Sequence, residues 1–585
     1  MPAPRAAAVH LRVELPAPQT HRYHVTLTIA RPAARQTLSL PVWIPGSYLV
    51  REFARNLLSL RAEQGGKAVA LTQLDKSTWR AACTPGQPLT LRYAVVASDR
   101  SVRTAWLDAT RGFFNATSVC LRVHGQEDAE HVLQVARPAA HANWRLATAL
   151  APLKAAPHGF GSYRAASYDE LADSPVEMGA FTSLHLDACG TPHRLVVSGA
   201  PPSFDHARLV RDVQRICETA IRFWSPEGRA PFAHYTFLLN AVDAGYGGLE
   251  HRASTALICD RRDLPRTGEA RPPEGYTTLL GLFSHEYFHA WNVKRMRPKA
   301  LARYDYAREN YTELLWFFEG FTSYYDDLLL RRAGLIDHAA YLKRLAKTIN
   351  QVLQTPGRAV QSVAQASFDA WIRYYRPDEN TANTTVSYYT KGALVALCLD
   401  LSLRRAGRCT LDDVMRALWH ASGGGPIAEA HVRRALRRCS GRAWNAEFDA
   451  WVHGTGDLPL GELLAAHGIT LKTETAQMAQ RLGLRVQETG SVQIKTVLAD
   501  GAAARAGMMA GDEWLGVEAA GAGWRLKRLD DLPLYAGAQP DVVALVARDA
   551  RLLRLPLAIP AAGGCGDTVA LSVADTALAA RWLGA

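Results

Sequence analysis

The spacing of apolar and polar residues divides the chain into three regions. In residues 1–190, short runs such as YHVTLTI, TLSLPVWI and LTLRYAVVA alternate in polarity between Gly and Pro residues, a pattern typical of antiparallel β-sandwiches. In residues 191–460, the short β segment PFAHYTFLLN precedes long amphipathic helices, including LDDVMRALWHA and EAHVRRALRRC. Residues 461–585 return to strand patterns. We therefore predict a multidomain α+β protein with an N-terminal antiparallel β-sandwich, a mainly helical middle domain and a C-terminal β module.

One predicted helix of the middle region carries two histidines four residues apart. Apolar residues recur at helical spacing in GYTTLLGLFSHEYFHAWNVKRM, so we expect a largely buried helix with the HExxH motif inside it. His285 and His289 then lie one turn apart and can contact the same metal ion, while Glu286 places a carboxylate close to that ion. Two ordinary core histidines are the alternative. The motif favours a zinc hydrolase in which Glu286 is the general base.

A catalytic zinc ion needs a third protein ligand and keeps its fourth position for water. Downstream, Glu319 is the only acidic residue within the apolar and aromatic run LLWFFEGF. A buried carboxylate is costly there unless a cation or a metal ion offsets it. The competing residues Glu313, Asp326 and Asp327 fall on more polar stretches. We therefore predict one Zn2+ per chain, held by the two histidines and Glu319.

These segments resemble the M61 family of glycyl aminopeptidases, which are relatives of the M1 aminopeptidases among the gluzincins. The resemblance is carried by HEYFHAWNVKRMRPKAL and the glutamate of WFFEGFTSYYDDLLL, and it extends to PVWIPGSYLVREFARNL and YDELADSPVEMG. The gap between the two ligand segments is longer than in M1 enzymes, with an insertion around residues 295–310. The resemblance implies a zinc metallo-aminopeptidase with a thermolysin-like catalytic domain in residues 191–460 and a preference for small N-terminal residues such as Gly or Ala.

Two further segments gain roles from this resemblance. GYGGLEHR resembles the M1 element whose glutamate receives the substrate's free amino group, so Glu250 is the implied anchor, with Gly247 and Gly248 letting a substrate backbone approach. A β-turn with an exposed glutamate is the alternative. VSYYTKGAL resembles the element that supplies a tyrosine to the transition state, where a neutral phenol donates to the oxyanion. Tyr389 matches it, Tyr388 is the second candidate, and core packing is the alternative for either.

The last region, residues 461–585, contains a segment that resembles the core of a PDZ domain. That segment is GLRVQETGSVQIKTVLADGAAARAGMMAGDEWLGVE. PDZ domains bind an extended peptide beside the edge of a sheet. The resemblance places the binding loop and strand at residues 482–486, with a peptide C-terminus as the expected partner. A module that only supports the catalytic domain is the alternative.

Composition narrows the class of protein and its location. A chain of 585 residues, 48% hydrophobic and 21% charged, is globular and too long for one core. The net charge of +12 comes from dispersed basic residues without a recognisable nucleic-acid module, so we expect no nucleic-acid partner. No apolar run is long enough for a membrane span, and the first residues lack the apolar core of a secretory signal. Nine cysteines without a CxxC pair suit a reducing compartment, so we predict a cytoplasmic protein.

The predicted function is therefore hydrolysis of the N-terminal bond of peptide substrates by a zinc aminopeptidase. One alternative is a broad-specificity zinc endopeptidase with PDZ-assisted substrate binding, in which Glu250 is not an amine anchor. Another is an inactive peptide-binding adaptor. The sequence argues against the adaptor because inactive relatives of an enzyme usually replace a ligand or the base, and all of these are present here. It leaves the endopeptidase open.

Overall fold

A computed structural model describes residues 8–561 and 566–584 of the chain. The chain forms two compact units, one of Met1–Asn310 with Trp419–Ile427 and the other of Tyr311–Leu418 with Ala428–Ala585. The predicted boundaries near residues 190 and 460 describe a finer division and stay predictions. The first seven residues, where the absence of a secretory signal was predicted, and Cys565 lie outside the described residues.

The N-terminal part of the first unit is rich in β-structure, as predicted. Its strands are β1 (Val9–Glu14), β2 (Arg22–Ile29), β3 (Arg35–Ser39), β4 (Leu57–Gln64), β5 (Lys67–Val69), β6 (Leu71–Asp75), β7 (Thr78–Ala82), β8 (Leu89–Val96), β9 (Ala105–Leu107), β10 (Arg111–Phe114), β11 (Arg122–Val123), β12 (His131–Val135), β13 (Arg145–Ala147), β14 (Ala151–Ala155), β15 (Gly161–Ala165) and β16 (Val176–Gly179). Two short helices, α1 (Ala116–Val119) and α2 (Tyr168–Ala172), interrupt them.

These strands form one eight-stranded and two four-stranded sheets within the described residues. The large sheet has the order β14-β15-β12-β1-β2-β8-β4-β5. Alternate residues of β1, namely Val9, Leu11 and Val13, are buried in the core, as the period of two predicts. The prediction of a purely antiparallel arrangement is wrong in one place, because β1 pairs with β12 in parallel. A long connection separates these two strands, and a parallel pair requires such a connection.

A five-stranded sheet completes the first unit. Its strands are β17 (Thr182–Ala188), β18 (Thr191–Ser198), β19 (Tyr235–Val242), β20 (Gly247–Glu250) and β21 (Ser254–Asp260), in the order β17-β18-β19-β21-β20. Strand β20 is antiparallel to β21 and forms the edge, with Gly248 opposite Leu257 and Glu250 opposite Thr255. The helices of this part are α3 (His206–Trp224) and α4 (Glu274–Phe288), and α4 contacts both β20 and β21. The HExxH motif, at the end of α4, therefore lies beside the edge strand.

The second unit begins with helices. They are α5 (Leu315–Phe318), α6 (Gly320–Arg332), α7 (His338–Leu353), α8 (Val363–Phe368), α9 (Thr381–Thr384), α10 (Thr390–Ala406), α11 (Leu411–Ser422), α12 (Glu429–Ser440), α13 (Asn445–Glu447) and α14 (Leu460–Ala465). Helices α11 and α12 are the two that the amphipathic patterns predict, and the residues of α11 from Trp419 onwards belong to the first unit. Helix α10 is a core helix, and its Asp400 is buried with hydrogen bonds from the Tyr324 hydroxyl at 2.6 Å and Arg404 Nε at 2.9 Å.

A second β-rich part ends the chain. Its elements are β22 (Ile469–Glu474), α15 (Met478–Leu482), β23 (Leu484–Glu488), β24 (Val492–Val497), α16 (Ala502–Arg505), β25 (Glu513–Ala519), β26 (Ala522–Arg525), α17 (Leu532–Ala536), β27 (Asp541–Arg548), β28 (Arg551–Ala558), β29 (Thr568–Val573) and α18 (Thr576–Leu583). Five strands of a six-stranded sheet have the order β23-β24-β25-β27-β28, and the sixth, β26, pairs with β25. The sheet and the short helices of this part share a separate apolar core.

Strand β29 and helix α18 contact helices α7 and α6 of the same unit. Strand β29 pairs with β22, outside the six-stranded sheet. The Asn350 side chain on α7 bonds to both the N–H and the C=O of Val569, at 2.8 and 2.9 Å. Trp582 Nε1 on α18 donates to the Tyr324 hydroxyl at 3.2 Å. These contacts fasten the end of the chain to the helical part.

Across residues 8–561 and 566–584, no helix combines the length and the apolar composition that crossing a membrane requires. In the same part of the chain eight cysteines are free thiols, four of which are fully buried.

Candidate active site

Helix α4 ends earlier than its apolar pattern predicts. Its last residue is Phe288, so His289 occupies the cap position, with helical backbone angles of φ −61° and ψ −20°. The amides of Ala290 and Trp291 bond to carbonyls three residues back, both at 3.1 Å, which tightens the chain into a turn. The two histidines still lie one helical turn apart, as predicted.

The two histidine rings present the same nitrogen to each other. The Nε2 atoms of His285 and His289 are 3.1 Å apart, and the ring planes are inclined by 87°. His289 Nδ1 lies 2.8 Å from the carbonyl oxygen of Asn292 and donates to it, which leaves the Nε2 lone pair for another partner. Two nitrogens that bind one tetrahedral zinc ion at about 2.05 Å lie roughly 3.3 Å apart. The pair therefore fits a zinc ion.

Two buried carboxylates lie next to this pair. One ligand atom from each of Glu250, Glu286 and His289 lies within 4.8 Å of the other two. Glu286 is 5% exposed, and Glu250, on the edge strand, is 4% exposed. The alternative of an exposed glutamate in a β-turn is therefore wrong. Glu250 faces this cluster because β20 lies directly beside α4.

Two glycines make room for these carboxylates. A Cβ on Gly248 would stand 2.6 Å from Cγ of Glu286, and a Cβ on Gly46 would stand 2.6 Å from both carboxylate oxygens of Glu250. Gly46 also has a positive φ of +94°, which favours glycine. Because Gly248 has no side chain, Glu286 fits beside it, in the space where the sequence predicts room for a substrate backbone.

A buried ionic cluster supports the strand and the turn that carry these groups. Asp173, which follows α2, accepts from Lys294 Nζ at 2.6 Å, from His251 Nδ1 at 3.2 Å and from the backbone N–H of Arg252 at 3.0 Å. Lys294 follows the turn after His289, and the other two partners follow Glu250. The cluster thereby ties the end of the edge strand to the histidine turn.

Charge balance keeps both main members of this cluster ionised. Burial alone would raise the pKa of the Asp173 carboxyl, but Lys294, the bond from His251 and Arg252 hold it well below its usual range. Burial alone would lower the pKa of the Lys294 ammonium, but Asp173 outweighs it and the pKa is raised. Burial lowers the pKa of His251, so its ring is neutral at neutral pH and its Nδ1–H donates to Asp173.

Asp173 and Lys294 are not among the site residues that the sequence predicts. Both lie in segments that resemble the family, YDELADSPVEMG and HEYFHAWNVKRM. A lysine directly after a buried apolar run is the signal that could have found Lys294, since a buried ammonium requires an anionic partner.

In the second unit, Glu319 and Tyr389 each stand just before a helix. Glu319 separates α5 from α6, and Tyr389 precedes α10. The two helices approach closely at glycines, because a Cβ on Gly320 would stand 2.6 Å from the Gly392 backbone and a Cβ on Gly392 would stand 2.6 Å from the Trp316 carbonyl oxygen. The starts of α6 and α10 are therefore neighbours.

The two tyrosines differ in their access to solvent. Tyr388 is fully buried, whereas Tyr389 is half-buried and stacks on Tyr374 with ring centroids 5.3 Å apart. Burial raises the pKa of the Tyr389 phenol well above its usual range, and the Glu319 carboxylate raises it further. Tyr389 is thus a protonated donor whose ring is accessible.

Comparisons with known proteins agree on one kind of enzyme. Residues 278–395 match the sequence pattern of the M61 glycyl aminopeptidases, and residues 10–180 match that of the peptidase M61 N-terminal domain. The structure is similar to that of an aminopeptidase N family protein from Idiomarina loihiensis, with a TM-score of 0.92 and 36% identity over 98% of this chain and 100% of that chain.

The structure is also similar, at lower sequence identity, to structures of M1 enzymes. An M1 zinc metallopeptidase from Deinococcus radiodurans is 15% identical, over 77% of this chain and 94% of that chain, with a TM-score of 0.48. A substituted form of an M1 zinc metallopeptidase from the same organism, bound to a Tyr-Ser-Ala substrate, gives a TM-score of 0.47 at 15% identity, over 77% of this chain and 94% of that chain. No curated protein matches the sequence of this chain.

Proposed function

Since this chain belongs to the M61 peptidase family and is a metallo-aminopeptidase, we propose that it uses one zinc ion per chain to remove small N-terminal residues, Gly or Ala, from peptides. The observation that carries the proposal is the 3.1 Å spacing of the two histidine Nε2 atoms beside the buried carboxylate of Glu286. Two histidine nitrogens at this spacing and a nearby base are what a hydrolytic zinc site requires.

The proposed zinc ligands are His285, His289 and Glu319. Glu319 is 2% exposed within an aromatic segment, where a carboxylate needs a cationic partner. When bound, zinc would lower the pKa of a coordinated water towards about 7 and polarise the substrate carbonyl.

The chain's own residues supply the proton transfers. In the proposed mechanism Glu286 removes a proton from the attacking water and later returns it to the departing amine, so that one carboxylate acts as base and then as acid. Tyr389 donates its phenolic proton in a hydrogen bond to the developing oxyanion. Its raised pKa supports this role, because the phenol remains protonated at neutral pH.

Glu250 is the proposed anchor for the substrate's free amino group. Its buried position next to Glu286 and His289 supports this role, because an ammonium group there would form a charge-assisted hydrogen bond with the carboxylate. The close approach of Gly46 to the Glu250 carboxylate supports a preference for a small first residue, since the loop leaves little room beside the anchor. Gly247 and Gly248 are the proposed substrate-binding residues on the edge strand.

The proposal includes a peptide site in the C-terminal β-rich part and a cytoplasmic location. Strand β23 is the outer strand of its sheet, and Gly483 before it has a φ of +74°, as a turn that presents backbone amides requires. Titration with a peptide bearing a free C-terminus and with its C-terminal amide tests a PDZ-like site; equal or no binding would contradict it.

The free thiols support a reducing compartment, which cell fractionation tests.

The decisive experiment compares Gly and Ala peptides bearing a free amine with their N-acetylated forms. The free amines should be cleaved after the first residue and the acetylated forms should be nearly inert. Glu250→Gln should narrow the difference in cleavage rate between the free-amine and the acetylated peptides, because a charged hydrogen bond contributes about 1.5 to 3 kcal/mol. Efficient internal cleavage of an N-blocked peptide by the unaltered enzyme would refute the anchor and support the endopeptidase alternative.

A further inference from the structure

Arg103 connects the N-terminal β-rich part to the edge strand of the candidate active site. It lies in the loop between β8 and β9, and its Nη2 donates to the carbonyl oxygen of Gly248 at 3.1 Å. Its Nη1 is 3.6 Å from the place where a Cβ on Gly247 would stand. The Nε atom is buried, and no residue among those described accepts its hydrogen. The protein thus leaves the donors of this half-buried guanidinium incompletely satisfied.

The functional groups follow one another along strand β20. Glu250 stands at its end, and Glu286 packs against Gly248 on the same face of the strand as Glu250. Arg103 bonds to the Gly248 carbonyl oxygen and approaches Gly247 from the opposite face. Residues of a strand rise about 3.4 Å each, so Gly248 and Gly247 lie roughly 7 and 10 Å along the strand from Glu250.

A bound peptide would meet these groups in the same order. With its amino group at Glu250 and its first peptide bond at Glu286, a peptide that lies along the outer edge of β20 runs past Gly248 and Gly247. A fully extended peptide of two or three residues covers roughly 7 to 10 Å. Its C-terminal carboxylate would then arrive at Arg103, and a guanidinium binds a carboxylate through parallel hydrogen bonds.

We propose that Arg103 is a specificity-determining residue that binds the C-terminal carboxylate of short substrates, so that the enzyme favours dipeptides and tripeptides. This inference rests on the proposed function, because the amine anchor sets the direction of the substrate. It concerns the leaving part of the peptide, whereas Glu250 acts on the first residue.

Trialanine and trialanine amide provide the test, since they differ only in the charge at the C-terminus. We expect the unaltered enzyme to favour the free acid in kcat/KM by roughly 10-fold to 100-fold, the range for a charged hydrogen bond. Arg103→Ala should reduce this ratio to near one, mainly by raising KM for the acid, and Arg103→Lys should retain part of it. A purely structural role, through the bond to Gly248, would lower both activities equally and leave the ratio unchanged.

Arg100→Ala is the matched control. Arg100 lies in the same loop, but its guanidinium stands over the Trp106 ring, 4.5 Å from the centroid, so the variant loses the same charge and should keep the ratio. Calorimetric binding of both peptides to Glu286→Gln enzyme gives the ratio without turnover. An acid-to-amide ratio near one in the unaltered enzyme, or an unchanged ratio in Arg103→Ala, overturns the inference. Failure to cleave any free-amine peptide would refute the proposed function, while the binding ratio would still decide the role of Arg103.

Discussion

The carboxylate of Glu286 lies against Gly248, so close that a methyl group on this glycine would stand 2.6 Å from Cγ of the glutamate. Glu286 is 5% exposed, so its side chain has little space into which it can shift. The position of the proposed base therefore depends on the absence of a side chain on the neighbouring strand.

We expect Gly248→Ala to lower kcat by about 10²-fold while the protein remains folded, because a displacement of about 1 Å in a catalytic group costs on that order. Steady-state kinetics and thermal unfolding of the same preparation measure the two effects. Gly456→Ala is the control, since nothing lies within 4 Å of its added Cβ and activity should be unchanged. Full activity in Gly248→Ala would show that the position of Glu286 does not matter for turnover.

Tyr389→Phe should reduce kcat by roughly 10²-fold or more, with a smaller effect on KM, because the phenol bonds to the oxyanion only in the transition state. Tyr388→Phe is the natural comparison: Tyr388 is fully buried, so removal of its hydroxyl should affect stability more than catalysis. The reverse pattern in single-turnover kinetics would assign the oxyanion donor to Tyr388.

Glu319→Ala and His289→Ala should each lose zinc, because a catalytic site with two protein ligands binds the metal much more weakly. Glu286→Gln should keep close to one zinc per chain and still lose several orders of magnitude in turnover. Elemental analysis of the purified variants separates these outcomes. Full zinc occupancy in Glu319→Ala would require another third ligand.

The sequence predicts the main elements of the fold because their patterns are local. The period of two in strands such as β1 and the helical spacing in α11 and α12 need no knowledge of distant contacts. The parallel pairing of β1 with β12 has no such local signal, since the partner strand comes from far along the chain. The division into domains likewise depends on contacts between distant segments.

The candidate site was predictable where a motif fixes the spacing and unpredictable where packing decides. His285, Glu286 and His289 follow from one helical turn. Asp173 and Lys294 meet through tertiary structure, so single positions in the sequence do not reveal their 2.6 Å ion pair. The sequence predicts room for a substrate beside Gly248, but which group occupies that space depends on how α4 packs against the edge strand.

The ion pair of Asp173 and Lys294 should contribute strongly to the stability of the protein. Both side chains are mostly or fully buried, so Lys294→Met leaves a buried carboxylate without its main cation. We expect a loss of about 3 to 5 kcal/mol in the free energy of unfolding at pH 7, the range for breaking a buried pair. Lys299→Met removes an exposed lysine that is close in sequence, and it should change the free energy of unfolding by less than about 0.5 kcal/mol.

The pH dependence of this loss follows from the two pKa shifts. The pKa of Asp173 is lowered in the folded protein, so its contribution is present above the unfolded pKa of about 4 and is lost as the pH falls through the lower folded pKa. The pKa of Lys294 is raised, so its contribution is present below the unfolded pKa of about 10.4 and is lost as the pH rises through the folded pKa. Denaturant unfolding of the unaltered protein and of Lys294→Met should therefore give a constant difference in the free energy of unfolding between about pH 5 and 9. A difference that shrinks within this window would mean that one partner loses its charge there, and the ion pair would not be the support of the edge strand.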